Sequence, residues 1–269
     1  MGKVELALAA PRYQRSSGRA VLKPSAQGIE TLREEGAAKI RLPVVPRGHP
    51  AEAIAINTAG GLTGGDEFAY ELICGAGASL IATTQAAEKV YRANEGAAQV
   101  TVRLQAEAKS RLFWLPQETI LFEASALRRQ IDAEIAADAE LLLVEPLVLG
   151  RTEMGERDIS AAFSDRWRIR RDGKLVFAED FRLDGALPRG AAALGEASAL
   201  ATLLLVAPDA ERLLAEIRQC LGDDAGVSAW DGKLVARITA QDGFTLRKRL
   251  IPALTRLVPE GSLPRIWSL

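Results

Sequence analysis

The sequence predicts a mainly β protein with a small α/β portion near its C-terminus that holds about two helices. Three observations carry that class. Apolar and polar residues alternate with a period of two through much of the chain, which is the strand signal. Two Asp-Gly pairs sit between alternating runs, where a tight hairpin needs two positive φ values. Only two segments, both in the last third, repeat apolar residues at helical spacing.

The elements follow in order. In "QVTVRLQ", Val100, Val102 and Leu104 face one way and Thr101, Arg103 and Gln105 the other. In "LRRQIDAEI", Leu127, Ile131, Ala133 and Ile135 alternate with Arg128, Gln130, Asp132 and Glu134, although alanine-rich flanks leave a helix open there. In "RWRIRRDGKLVF", Trp167 and Ile169 alternate with Arg166, Arg168 and Arg170. Asp172–Gly173 then turns the chain and Leu175–Phe177 begins the return strand. "WDGKLVARI" repeats the device at Asp231–Gly232. "LATLLLVA" reads as a buried strand. Pro208 opens "PDAERLLAEIRQCL", whose Leu213, Leu214, Ile217 and Leu221 share one face, and Gly222 stands at the C-terminal cap. The second helical segment, "FTLRKRLIPALTRL", contains Pro252. Phe181–Ser198 is the most linker-like stretch but does not justify a cut. One domain is expected over 1–269, β-rich over 1–190 and α/β over about 191–269.

With 269 residues and 48% apolar content, a sizeable core is expected. Lys and Arg number 34 against 35 Asp and Glu, so no basic excess points to nucleic acid or an anionic membrane. The N-terminus lacks the long apolar stretch of a signal peptide, and Leu6 stands where a myristoylation motif needs Ser or Thr. No apolar run is long enough to cross a bilayer. Cys74 and Cys220 lie far apart, which fits a cytoplasmic chain with reduced thiols, each read as a small core residue. The single histidine, His49, lies in a proline-bounded loop and reads as a surface residue.

The stretch Asn57–Phe68, "NTAGGLTGGDEF", packs Gly60, Gly61, Gly64 and Gly65 around Leu62 and Thr63 and ends on Asp66 and Glu67. It is not a phosphate loop, because acids follow the second pair where Lys and Ser or Thr are needed, and it lacks dinucleotide spacing. Two readings stand: paired tight turns, or a bare backbone that another surface or an ion can approach closely. Downstream come Thr83, Thr84, Lys89, Tyr91 and Arg92. Leu115, Pro116, Glu118 and Ile120 follow, then Gly150, Arg151, Gly155 and Glu156. In that order and spacing the chain resembles the urease accessory protein family UreD, also called UreH. A later Trp167, Arg170 and Asp172–Gly173 fit as well, while the aromatic-rich stretch usual before the glycines is missing from "IRLPVVPRGHP".

The resemblance implies a non-catalytic, stacked or helical β-sheet scaffold acting in urease maturation. Its partners would be UreF, the GTPase UreG and apo-urease, with nickel passed to the urease active site and GTP hydrolysed by UreG. No tightly bound cofactor is expected, only transient Ni²⁺. The residues fit that role. Imidazole and thiolate hold Ni²⁺ tightly, whereas carboxylates hold it loosely enough to pass on. The candidate path residues are Asp66, Glu88, Glu118, Glu145 and Glu156, with Glu123 and Glu153 beside the motifs. For Glu145, in "LLLVEPLVL", a salt bridge to a residue such as Arg151 competes with a channel-lining role. For Asp66 an Asx-type turn competes with the path. Gly60, Gly61, Gly64, Gly65, Lys89, Tyr91, Arg92 and Arg151 form the candidate structural and interface motif. "RWRIRR" reads as a solvated sheet face or a contact for an acidic partner. Two rival classes remain: a β-rich hydrolase using carboxylates such as Glu118 and Glu123, and a plain interaction module without a metal path.

Overall fold

A computed structural model describes residues 14–151, 154–190, 193–223 and 225–268. The strands are β1 (Ser17–Ser25), β2 (Gly28–Gly36), β3 (Ala38–Arg41), β4 (Ala51–Asn57), β5 (Glu67–Cys74), β6 (Ser79–Thr84) and β7 (Glu88–Val90). They continue as β8 (Ala98–Ala106), β9 (Arg111–Trp114), β10 (Thr119–Leu121), β11 (Ala126–Ile135), β12 (Glu140–Leu149), β13 (Ser160–Arg171) and β14 (Lys174–Ala186). The C-terminal part adds β15 (Ala199–Val206), α1 (Leu214–Leu221), β16 (Ala225–Trp230), β17 (Lys233–Ala240) and α2 (Gly243–Leu257).

From β4 to β13 the chain winds as a solenoid, so the stacked β-sheet scaffold is what the fold shows. Each rung places one strand in each of two facing sheets, and like strands stack in parallel. One sheet runs β14-β13-β11-β8-β5-β1-β2, parallel from β1 to β13 and closed by antiparallel hairpins at both ends. The second runs β16-β17-β15-β12-β9-β6-β4-β3, parallel from β4 to β12. Helices α1 and α2 cover the far face of β12, β15 and β17, so β12 is apolar on both faces apart from Glu145. Leu141, Leu143 and Leu147 pack into the solenoid, and Leu142 and Val144 into the helical layer.

The alternating strands lie as their sequences dictate. Tyr70, Val102, Ile131 and Trp167 stand side by side in successive rungs and are buried, while Arg103, Arg128 and Arg166 point out. The 127–135 segment is strand, its alanine-rich flanks outweighed by long parallel pairing on both sides. Both Asp-Gly turns carry two positive φ values: 49° and 73° at Asp172–Gly173, 44° and 69° at Asp231–Gly232. Four details differ from expectation. The linker-like stretch is strand up to Ala186, because β14 pairs with the whole of β13. The first helix opens with a 3-10 turn over Ala210–Leu213 before α1. Cys74 is fully buried, but Cys220 only half. His49 is half-buried, its Nδ1 at 3.0 Å from Ser262 Oγ. Among the described residues no helix is long and apolar enough to cross a membrane.

Candidate functional site: a cavity between the sheets

The four sequence motifs turn out to be one structural feature. Residues 58–66, 85–97, 115–125 and the described part of 150–159 belong to successive connections, each carrying the chain from the second sheet back to the first. They stack along one edge of the solenoid. Short parallel pairing ties them together: β7 to β10, β10 to the end of β12, and Leu62 to Val90. The result is a narrow third wall with a column of buried side chains, Leu62, Val90 and Leu121 from the first three connections and Leu149 from the end of β12. The motif spacing is therefore the rung length of the solenoid.

The glycines belong to this wall. A Cβ on Gly61, which has φ +147°, would fall on the Tyr91 ring and 2.8 Å from Lys89 O. One on Gly64 would meet the carbonyls of Glu95 and Gly96. Close approach of neighbouring connections is what removes the side chains.

Behind the wall lies a cavity of about 320 Å³ between the sheets, which reaches the surface beside Gly60, Gln85 and Ala86. Two of the five candidate acids line it, Glu88 and Glu145. Glu88 begins β7, and its oxygens accept from Asn57 Nδ2 at 3.2 Å. Burial, with the Asp66 charge nearby and against the Asn57 hydrogen bond, pushes its carboxyl up to about 7. Tyr70 lines the same space, and burial followed by the Glu88 charge pushes its phenol up.

Glu145 sits deeper, 5% exposed. Its partner is Arg129 and not Arg151. Trp114 Nε1 donates to Glu145 Oε1 at 2.9 Å, and Arg129 Nη1 to Glu145 Oε2. Arg129 also holds Asp165 bidentately, Nε to Oδ1 at 3.0 Å and Nη2 to Oδ2 at 2.6 Å, and donates to Thr119 Oγ1 at 3.1 Å. Arg129 and Asp165 are register partners on adjacent parallel strands, pointing inward where neighbouring rows are apolar. Burial alone would lower the Arg129 pKa, and the two carboxylates more than offset it, so the guanidinium stays charged. Burial raises the Glu145 carboxyl, opposed by Arg129 and reinforced by Asp165.

The other three acids have different partners. Asp66 is 4% exposed and closes its turn by accepting from Thr63 N and Ser16 N, both at 2.8 Å, so the turn reading describes its contacts. Glu118 leaves the cavity to its neighbour Gln117 and pairs with Arg247 of α2 at 3.1 Å. Arg247 also stacks on Trp267, 4.9 Å from the ring centroid. Glu156 pairs with Arg151, which lies 4.3 Å over the Phe122 ring. Tyr91 meets that ring edge-on at 5.2 Å and donates its OH to Gly60 O at 3.2 Å. Lys89, Tyr91 and Arg92 are exposed on the outside of the wall. Glu123 accepts from Ser160 N at 2.9 Å, so it and Glu118 are drawn to separate partners rather than set as a pair. Glu153 lies outside the described residues.

The residues missed from sequence are Arg129, Asp165, Trp114 and Asn57. The signal for two of them was parity: Arg129 shares the inward face of Leu127 and Ile131, and Asp165 that of Phe163 and Trp167.

The Glu88 carboxyl gives a pH prediction. Its folded pKa lies above the ordinary 4.5, so between about 4.5 and about 7 the folded chain holds a proton that the unfolded chain has lost. Stability from this group is present at low pH and is lost as pH rises through that window. Glu88→Gln is expected to raise Tm at pH 8, with the gain closing as pH approaches 5. A gain independent of pH would contradict the assignment.

Comparison with known proteins supplies the context. The family model described as "UreD urease accessory protein" matches residues 14–268. A Mesorhizobium japonicum protein described as "Urease accessory protein UreD" is 49% identical over 271 residues, covering 96% of each chain. Proteins of the same description from Rhizobium leguminosarum bv. viciae and Agrobacterium fabrum are 48% and 45% identical. They align with 97% and 96% of this chain, and with 98% and 93% of their own lengths.

Proposed function

The chain belongs to the UreD urease accessory protein family, and from that premise we propose that it is a non-catalytic scaffold that carries nickel to urease. As an accessory protein of this family it serves urease maturation. In the finer reading it bridges UreF and the GTPase UreG to apo-urease in the cytoplasm. Ni²⁺ crosses the solenoid through the cavity between the sheets while UreG hydrolyses GTP. The chain works as one unit, with no nucleic acid or membrane partner.

The observation that carries the reading is the cavity itself. Two carboxylates, Glu88 near its mouth and Glu145 deeper in, are the charged oxygen donors of a space otherwise lined by Arg129, Lys89, amides, hydroxyls and apolar groups. Oxygen donors in that number suit an ion in transit, which must enter favourably and leave without a deep well. Asp66, Glu118 and Glu156 act in this scheme by holding the wall and the helical layer in place. Gly61 and Gly64 keep that wall thin, Gly60 and Gly65 supply positive φ in its turns, and Lys89, Tyr91, Arg92 and Arg151 offer a partner-facing surface on its outer side.

The test is urease activation in cells with Glu88→Gln/Glu145→Gln. The expected result is a chain that still co-purifies with UreF and UreG while urease nickel content and activity fall about tenfold or more, as expected when charged ligands are lost from a metal path. Full activation by the folded double variant would replace this reading with that of an interaction module lacking a metal path.

A further inference from the structure

Arg129 is an unusual occupant for a cation path. It is fully inside, its guanidinium is shared between two carboxylates, and it lines the same cavity as Glu88 and Glu145. With Asp165 these groups sum to two negative charges when ionised. Without the arginine, Glu145 and Asp165 would both stand without a counter-ion beside Glu88 in a space of low dielectric, an arrangement that holds a divalent ion strongly. A guanidinium and a divalent ion compete for the same oxygens, and the guanidinium never leaves.

We propose that Arg129 is a built-in competitor for the divalent ion, occupying the Glu145 carboxylate so that the cavity holds its cargo weakly enough to release it. The inference rests on the reading above, that a divalent ion passes through this cavity. It adds that the low affinity is built in by one residue rather than left to a shortage of ligands. The geometry also assigns Asp165 a part. Its bidentate grip fixes the guanidinium plane, leaving Nη1 to face both Thr119 and Glu145. Asp165 thus limits how much of the arginine's charge Glu145 receives. Arg129 is a positioning residue here: it acts on the ion through Glu145.

Two variants of the full chain, purified with its co-expressed partners, separate this from a structural role. Asp165→Asn gives Arg129 wholly to Glu145. Arg129→Gln/Asp165→Asn replaces the bidentate pair with two neutral amides and frees Glu145. Titration with Ni²⁺ alone is expected to show binding weakened several-fold in the first variant. In the second it should be about tenfold tighter or more, with slower transfer to apo-urease despite the firmer grip. Adding Glu145→Gln to the double variant should abolish the extra affinity. A folded double variant that binds Ni²⁺ no tighter than the parent overturns the inference. So does extra affinity that survives loss of Glu145, or an Asp165→Asn chain that binds more tightly. If instead Glu88→Gln/Glu145→Gln activates urease normally, the transit reading itself falls, which is a different result from a failure confined to Arg129.

Discussion

Arg129→Ala is expected to remove about 3–5 kcal/mol of folding stability, because it strands two buried carboxylates that now share one cation. The loss has three parts. Glu145 and Asp165 lose their counter-ion at 5% and 6% exposure. Thr119 Oγ1 loses its donor. The Phe163 ring loses the guanidinium 5.5 Å from its centroid. Guanidinium denaturation of the purified chain measures the effect. Two companion variants make the cause visible. Arg129→Gln/Asp165→Asn should recover much of the loss, since it removes a charge of each sign and keeps hydrogen-bonding side chains in both places. Arg129→Ala/Glu145→Gln should recover less, because Asp165 holds the tighter, bidentate half of the network. Equal destabilisation by all three would mean that lost packing volume sets the cost, and not unpaired charge.

Much of the scaffold is legible in the sequence because strand burial follows parity. The alternation in 99–105 and 166–170, the two Asp-Gly hairpins, the buried run before α1 and the glycine after it all lie where local physics puts them. Parity also carried the buried network: Arg129 and Asp165 are charged residues on the inward register of their strands. An inward arginine and an inward aspartate in two strands of similar pattern are a candidate pair. The pairings themselves are not legible. Whether Glu145 meets Arg129 or Arg151 depends on which strands lie opposite across the solenoid. The parallel stacking that decides it is set by contacts 16 to 36 residues apart in the chain. Glu118 is a sharper case. It meets Arg247 across 129 residues of sequence, and its neighbour Gln117 takes the cavity side. Nothing near Glu118 announces a helix that has yet to be made.

The wall of stacked connections should be most sensitive where backbones touch, and Gly61→Val tests this. Its expected cost is about 3 kcal/mol or more, a sum of left-handed strain and a steric clash. Gly61 has φ +147°, a region that a β-branched residue resists strongly, and the added carbon would lie on the Tyr91 ring and 2.8 Å from Lys89 O. That carbonyl accepts from Leu62 N at 2.8 Å, while Leu62 O accepts from Tyr91 N at 2.8 Å. Displacing one connection therefore breaks the pair of backbone bonds that joins it to the next, beside the cavity mouth. Gly60→Ala is the control. Gly60 also has positive φ, at 80°, but a Cβ there meets nothing, so about 1 kcal/mol is expected from strain alone. The readouts are the denaturation midpoint and the rate of proteolysis within residues 85–97, which should rise for Gly61→Val and stay near the parent for Gly60→Ala. Equal costs at the two positions would mean that φ alone selects these glycines. A cost at Gly61 beyond what β-branching adds would show that the glycine motif exists because two rungs of the solenoid must lie close enough to bond, forming the thin wall that encloses the cavity.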